Sequence, residues 1–80
     1  MRITFDPAKD LANRTKHGVP LAAADALDWD SALIWIDDRF DYGEIREIAM
    51  GPIAGRLHVL VYTRRGETIR AISLRRALYR

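Results

Sequence analysis

The 80-residue sequence contains no cysteine, which excludes disulfide bonds and thiolate metal sites as sources of stability. With only two histidines, it also lacks the ligands of an ordinary structural zinc site. No apolar run approaches the ~20 residues that span a bilayer, and no secretory signal is recognisable. We therefore expect a cytoplasmic chain with no cofactor and no metal. Its small core, burying about 60–65% of the unfolded surface, predicts stabilisation by a protein partner.

The net charge of +2 conceals an uneven distribution of charge along the chain. Residues 1–55 carry six basic and ten acidic side chains, whereas residues 56–80 carry seven arginines and one acid, Glu67. Eleven of the thirteen basic residues are arginine, which favours bidentate contacts with phosphate. The basic second half indicates a polyanionic partner such as nucleic acid, the alternative being an ordinary solvated face.

Local signals predict the element order β-α-α-β-β-β-β. Asp6-Pro7 is a helix start and Gly18 a helix stop, and a second helix follows Pro20. The first helix is predicted to bury a stripe of Ala8, Leu11, Ala12 and Thr15. Strands are predicted at residues 2–5, 32–36, 44–50, 57–63 and 68–74, and a further helix is predicted to start in residues 75–80.

This pattern predicts one α+β domain over residues 1–80, with two layers, an antiparallel sheet and both helices on one face. Taking Arg65-Gly66 as the turn between the last two strands pairs His58 with Ser73 and Tyr62 with Ile69. The aliphatic face with Val59 and Val61 is expected under the helices. The other face would then carry a concave polar site containing His58, Tyr62, Ser73 and arginines.

Several segments carry a family resemblance that covers nearly the whole chain. Phe5-Asp6-Pro7-Ala8-Lys9 and Asn13-Arg14-Thr15-Lys16-His17-Gly18-Val19 resemble the N-terminal signature of the BrnT toxin family. The later segments that match are Asp41-Tyr42-Gly43-Glu44-Ile45-Arg46, Met50-Gly51, Val61-Tyr62-Thr63-Arg64-Arg65-Gly66 and Ile69-Arg70-Ala71-Ile72-Ser73-Leu74-Arg75-Arg76-Ala77. Leu74 stands where alanine is commoner. The family's charged helical tail after this point is expected to be missing or trimmed here.

The resemblance implies a RelE-like ribonuclease, the growth-inhibiting toxin of a type II toxin–antitoxin pair. It also implies a BrnA-like antitoxin with a ribbon-helix-helix DNA-binding domain, which neutralises the toxin and with it represses their operon. The alternatives from other classes are a catalytically inactive module that binds RNA, DNA or the antitoxin, and a pure interaction domain.

The chemistry of RNA cleavage selects the candidate catalytic residues. A metal-independent ribonuclease needs a proton acceptor for the 2′-OH, stabilisation of the phosphate oxygens and a proton donor to the leaving oxygen. His17 is the candidate acid or base, because imidazole exchanges protons near neutral pH; alternatively it only ends its helix. The candidate stabilisers are Arg65, Arg70 and Arg75, each of which could instead form a surface salt bridge.

Other side chains are assigned to binding. The candidate RNA-binding residues are Lys16, Arg46, Tyr62, Ser73 and Arg76, with Tyr62 able to stack on a base. Trp29 and Trp35 are assigned to the core or to the antitoxin interface. Asn13 is interpreted as a structural side chain that ties the first helix to the following loop.

Overall fold

The computed structural model describes residues 1–77, so the last three residues of the predicted C-terminal helix start lie outside the described residues. Arg75 and Arg76 belong to a strand rather than to that helix. The elements are β1 (Arg2–Phe5), α1 (Pro7–His17), a 3-10 helix (Leu21–Ala26), β2 (Leu33–Ile36), β3 (Glu47–Ile53), β4 (Arg56–Arg65) and β5 (Thr68–Arg76). The α+β class and the element order are as predicted, except that the second helix is 3-10.

The five strands form one mixed sheet in the order β1-β5-β4-β3-β2. The pairs β2–β3, β3–β4 and β4–β5 are antiparallel. β1 pairs with β5 in parallel, so the expectation of an antiparallel sheet is wrong at this edge. β1 and β5 are separated by almost the whole chain. Local sequence signals therefore do not determine their relative direction.

The capping signals of α1 are confirmed. Asp6 Oδ1 accepts a hydrogen bond of 2.8 Å from the Ala8 amide, and Pro7 occupies the first turn. Gly18 ends the helix with a φ of 73°, a left-handed conformation that favours glycine. Within residues 1–77, neither helix has the length and hydropathy needed to cross a bilayer.

The core lies between the 3-10 helix and one face of the sheet, which we call the core face. Its buried members are Leu21, Ala24, Leu27, Ala49, Leu60, Tyr62, Ile69, Ala71 and Leu74. α1 lies beside β5 and buries Asn13 rather than its predicted stripe, in which Leu11 is 59% exposed. The expectation that both helices cover one face therefore holds for the 3-10 helix, whereas α1 lies along the edge of β5.

The predicted faces of β4 are reversed in the structure. Leu60 and Tyr62 are fully buried in the core, so Val59 and Val61 point to the opposite face, which we call the cavity face. Alternation shows which residues of a strand share a face, but the elements packed on the sheet decide which face is covered.

The pairing of β4 with β5 also differs from the prediction. The turn is Gly66-Glu67, and a register shift between Val61 and Tyr62 leaves Ile72 as an extra residue. Consequently Ser73 pairs with Val61 rather than His58, and Tyr62 pairs with Ala71 rather than Ile69. The bulge puts Ser73 and Arg75 on the cavity face, although Ala71 points into the core.

Candidate active site

A cavity of about 560 Å³ opens on the cavity face of the sheet. Three strands supply its floor, α1 supplies one wall, and β2 with the loop that follows it supplies the other. The lining residues are Lys16, His17, Trp35, Arg39, Ile48, Met50, Val59, Val61, Ser73, Arg75 and Ala77. The volume is typical of a small-molecule or nucleotide site.

Asn13 holds the α1 wall against the sheet. Its amide nitrogen donates to the carbonyl oxygens of Val19 and Leu74, at 2.8 and 2.9 Å, and its Oδ1 accepts from the Leu74 amide at 3.0 Å. Asn13 thereby bonds backbone groups of β5 that β1 does not reach, because the pairing of β1 with β5 ends at Ala71. Lys16 and His17 lie on the next helical turn and reach the cavity. The interpretation of Asn13 as a structural side chain is confirmed.

Arg39 is a cavity residue that the sequence interpretation missed. Its guanidinium donates to both carboxylate oxygens of Asp37, at 2.7 and 2.8 Å, while remaining 62% exposed. The Arg39 hydrogen bond, with weaker help from Tyr42, lowers the pKa of Asp37 to about 2. The buried carboxylate therefore stays ionised and anchors the guanidinium at the rim. The sequence signal that could have indicated this ion pair is the Asp-x-Arg spacing directly after the apolar strand β2.

Of the predicted catalytic residues, His17 and Arg75 line the cavity, together with Lys16 and Ser73 from the predicted binding set. Arg65 and Arg70 do not line it. By the strand register they lie on the cavity face, farther toward the β4–β5 turn. Arg65 there lies 3.8 Å from a carboxylate oxygen of Glu44, an exposed ion pair that contributes little to stability.

Tyr62 is not available to stack on RNA, because its side chain is fully buried in the core. Its hydroxyl donates to Glu47 Oε2 at 2.7 Å, and burial together with this carboxylate raises the pKa of Tyr62. Burial also opposes ionisation of Glu47, but hydrogen bonds from Tyr62 and Arg64 outweigh it and keep the pKa of Glu47 below its ordinary value. The predicted RNA-stacking role of Tyr62 is wrong.

Arg46 and Arg76 also lie away from the cavity. The Arg46 guanidinium stacks on the Tyr42 ring, 3.8 Å from its centroid, and its Nε lies 3.8 Å from Glu44. Arg76 pairs with His58 in the register and therefore points to the opposite face from Arg75. Both were predicted to bind RNA, and neither shares the cavity with His17.

The two tryptophans have different surroundings. Trp29 packs against the core, with its ring 5.4 Å from that of Tyr62 in an edge-to-face arrangement. Trp35 is 43% exposed on β2 and lines the cavity. Of the two predicted environments, core or antitoxin interface, Trp29 therefore packs with the core, whereas Trp35 is accessible to a partner.

The charges around the cavity are of one sign. Lys16, Arg39 and Arg75 line it, and within residues 1–77 no carboxylate does. The same described residues contain no group of three or more His, Cys, Asp or Glu side chains arranged to hold a metal ion. A cationic rim over a floor of Ile48 and Val61 suits a ligand that combines an anionic group with a flat apolar one, as a nucleotide does.

Comparison with known proteins gives one family and a similar solved structure. Residues 5–80 match the family model described as the ribonuclease toxin BrnT of type II toxin–antitoxin systems. The fold is similar to the 1.1 Å crystal structure of the Brucella abortus ribonuclease toxin BrnT, with a TM-score of 0.79 and 25% sequence identity over 99% of each chain. No curated protein matches the sequence.

Proposed function

The chain belongs to the BrnT family of ribonuclease toxins of type II toxin–antitoxin systems, and from this we propose that it is a metal-independent endoribonuclease whose cationic cavity cleaves RNA. The observation that best supports this proposal is that His17 and Arg75 line the same cavity, although they are 58 positions apart in the chain. Cleavage of cellular RNA would inhibit translation and growth, with the cytoplasm as the proposed compartment.

The reaction we propose is attack of the ribose 2′-oxygen on the adjacent phosphorus. A base takes the 2′-OH proton, the new P–O2′ bond forms, and the P–O5′ bond breaks. The 5′-oxygen leaves with a proton from an acid, and the other product is a 2′,3′-cyclic phosphate. His17 places an imidazole in the cavity, and imidazole is the side chain that most often serves as a general acid or base, so His17 is assigned one of these two steps.

The remaining cavity residues are proposed to bind the phosphate and the nucleobase of the RNA. Arg75 is assigned to the phosphate oxygens, where negative charge increases in the transition state. Lys16 and Arg39 supply further positive charge, and Ser73 supplies a hydroxyl on the floor. Arg65 and Arg70 extend the cationic surface toward the β4–β5 turn and are proposed to bind the RNA backbone on either side of the cleaved bond.

The proposed partner is a BrnA-like antitoxin with a ribbon-helix-helix DNA-binding domain. The complex would repress the operon that encodes both proteins, with DNA contacted through the antitoxin. What supports this is the toxin–antitoxin family to which the chain belongs, together with the exposed apolar surface around Trp35.

Incubation of the purified chain with RNA in excess EDTA tests the proposed activity. We expect cleavage to persist and to leave 2′,3′-cyclic phosphate ends. Loss of the imidazole in His17→Ala, or of the guanidinium in Arg75→Ala, should slow cleavage by about 100-fold or more. Arg76→Ala is the matched control, because it removes the same charge from the adjacent position on the opposite face.

The outcomes separate the candidate functions. RNA binding without cleavage by the wild type at any salt concentration would support the inactive binding module instead. Cleavage that EDTA abolishes would contradict the metal-independent mechanism. Equal losses in Arg75→Ala and Arg76→Ala would show that overall charge, rather than the cavity, governs activity.

A further inference from the structure

β2 is an edge strand whose side chains are exposed on both faces of the sheet. Leu33, Ile34, Trp35 and Ile36 are 66%, 46%, 43% and 61% exposed. The strand pairs with β3 on one side and is last in the sheet order on the other. Four consecutive exposed apolar residues on an open edge are a surface that proteins usually cover or charge, because such an edge readily pairs with another chain.

The backbone of β2 retains groups that can pair with a further strand. The Asp37 amide donates to the Arg46 carbonyl at 2.8 Å, which identifies these two residues as a hydrogen-bonded pair of the β2–β3 ladder. Because such pairs alternate in an antiparallel ladder, the N–H and C=O groups of Leu33 and Trp35 also point to β3. Those of Ile34 and Ile36 consequently point outward, along the free edge.

The charge around this edge selects the kind of partner. Residues 28–47 contain seven acidic and two basic side chains, a net charge of −5 in a chain whose total is +2. Exposed acids flank β2 at both ends, with Asp30 before it and Asp38 after it. Pairing of β2 with the β2 of a second copy would bring acid against acid in either direction, which disfavours self-association. A partner segment with basic residues around an apolar stretch is complementary.

We propose that β2 is the docking strand for an extended, basic segment of the antitoxin, which adds a sixth strand to the sheet through the main-chain groups of Ile34 and Ile36. The identity of the partner rests on the proposed function. Trp35 belongs both to β2 and to the cavity wall. A strand bound at this edge therefore covers the rim of the cavity and obstructs RNA, which connects docking with neutralisation.

Hydrogen exchange of the free chain and of the complex tests this proposal. The complex is prepared by co-expressing the chain with the antitoxin encoded beside its gene. We expect the amides of Ile34 and Ile36 to exchange rapidly in the free chain and at least about tenfold more slowly in the complex. The amides of Leu33 and Trp35 are the internal controls, because they are already bonded to β3 and should change less.

Each outcome decides the proposal. A complex in which Ile34 and Ile36 exchange as fast as in the free chain would overturn docking at β2 while leaving the proposed function intact. Failure of the two proteins to associate would overturn both the partner and its docking, whereas RNA cleavage by the free chain would still be measured separately. Slow exchange of these amides in a self-associated free chain would identify a second copy as the occupant and overturn the proposal.

Two sets of variants test the pairing and its charge. Ile34→Pro removes an outward-pointing amide that β3 does not use, so it should fold yet bind the antitoxin at least about tenfold more weakly. The double variant Asp30→Lys, Asp38→Lys should weaken binding by about tenfold at low salt and by less at high salt. Asp25→Lys, on the 3-10 helix, is the control for one such charge reversal away from β2, and it should leave the affinity unchanged. Unchanged affinity in both test variants would contradict the proposal.

Discussion

Substitution of Asn13 by alanine removes the side-chain hydrogen bonds that attach α1 to β5. Asn13 is only 6% exposed and makes three hydrogen bonds, all to backbone groups. At a net ~1 kcal/mol each, their loss costs about 3 kcal/mol, and the better helix propensity of alanine returns ~0.6 kcal/mol. The expected loss is therefore about 2–3 kcal/mol, out of the ~4–12 kcal/mol typical of an 80-residue domain.

Urea unfolding followed by tryptophan fluorescence measures this loss, because Trp29 packs against the core beside Tyr62 and its emission should change on unfolding. In a thermal scan the same loss lowers Tm by about 10–20 °C. Thr15→Ala is the matched control in the same helix. The Thr15 hydroxyl donates to the Leu11 carbonyl at 2.9 Å, but this bond is exposed, so its loss should change stability by less than ~0.5 kcal/mol.

Equal stabilities of Asn13→Ala and Thr15→Ala would refute this reasoning. They would show that water satisfies the Leu74 amide and carbonyl groups as well as Asn13 does. The expected result instead makes Asn13 a positioning residue, since it holds the helical turn that carries Lys16 and His17. RNA cleavage by Asn13→Ala, measured at a temperature where it is folded, should then be slower than cleavage by Thr15→Ala.

Three further predictions concern other parts of the molecule. Gly51→Ala should cost about 1–3 kcal/mol in thermal unfolding, because a Cβ at this position would lie 3.0 Å from that of Ala32 in the buried interior. The ionised carboxylate of Asp37 should stabilise the fold fully above about pH 4 and lose that effect as the pH falls toward its pKa of about 2. In Asp37→Asn the urea midpoint should therefore vary less with pH over that interval than in the wild type. Arg39→Ala should slow RNA cleavage at least about tenfold. It should also lower Tm, because it leaves the buried Asp37 carboxylate without its guanidinium partner, so cleavage is compared at a temperature where the variant is folded; normal cleavage there would exclude Arg39 from the site.

Features that depend on neighbouring residues were predictable from the sequence. Asp6-Pro7 and Gly18 define the ends of α1 because a cap acts within one helical turn. The strands were located from their apolar alternation, although β3 begins three residues later than predicted, at Glu47. The family resemblance, which rests on short motifs of the same kind, is confirmed over residues 5–80.

The composition of the site was predictable only in part. His17 and Arg75 were selected for their chemistry and share the cavity, whereas Tyr62 was selected for its aromatic ring and belongs to the core. Arg39 was missed because its role comes from an ion pair with the buried carboxylate of Asp37, and the burial of that carboxylate is not visible in an Asp-Asp-Arg sequence typical of an exposed turn.

The sequence by itself therefore determined the order of the strands and the first two helices, the family and the chemical groups, because caps, alternation and motifs act over a few residues. Only the tertiary structure decided the parallel pairing of β1 with β5, the face of β4 that the 3-10 helix covers, and the bulge at Ile72. These features depend on contacts between distant segments, and a single extra residue in β5 moves Ser73 and Arg75 to the opposite face. That change of face brings Arg75 into the cavity with His17.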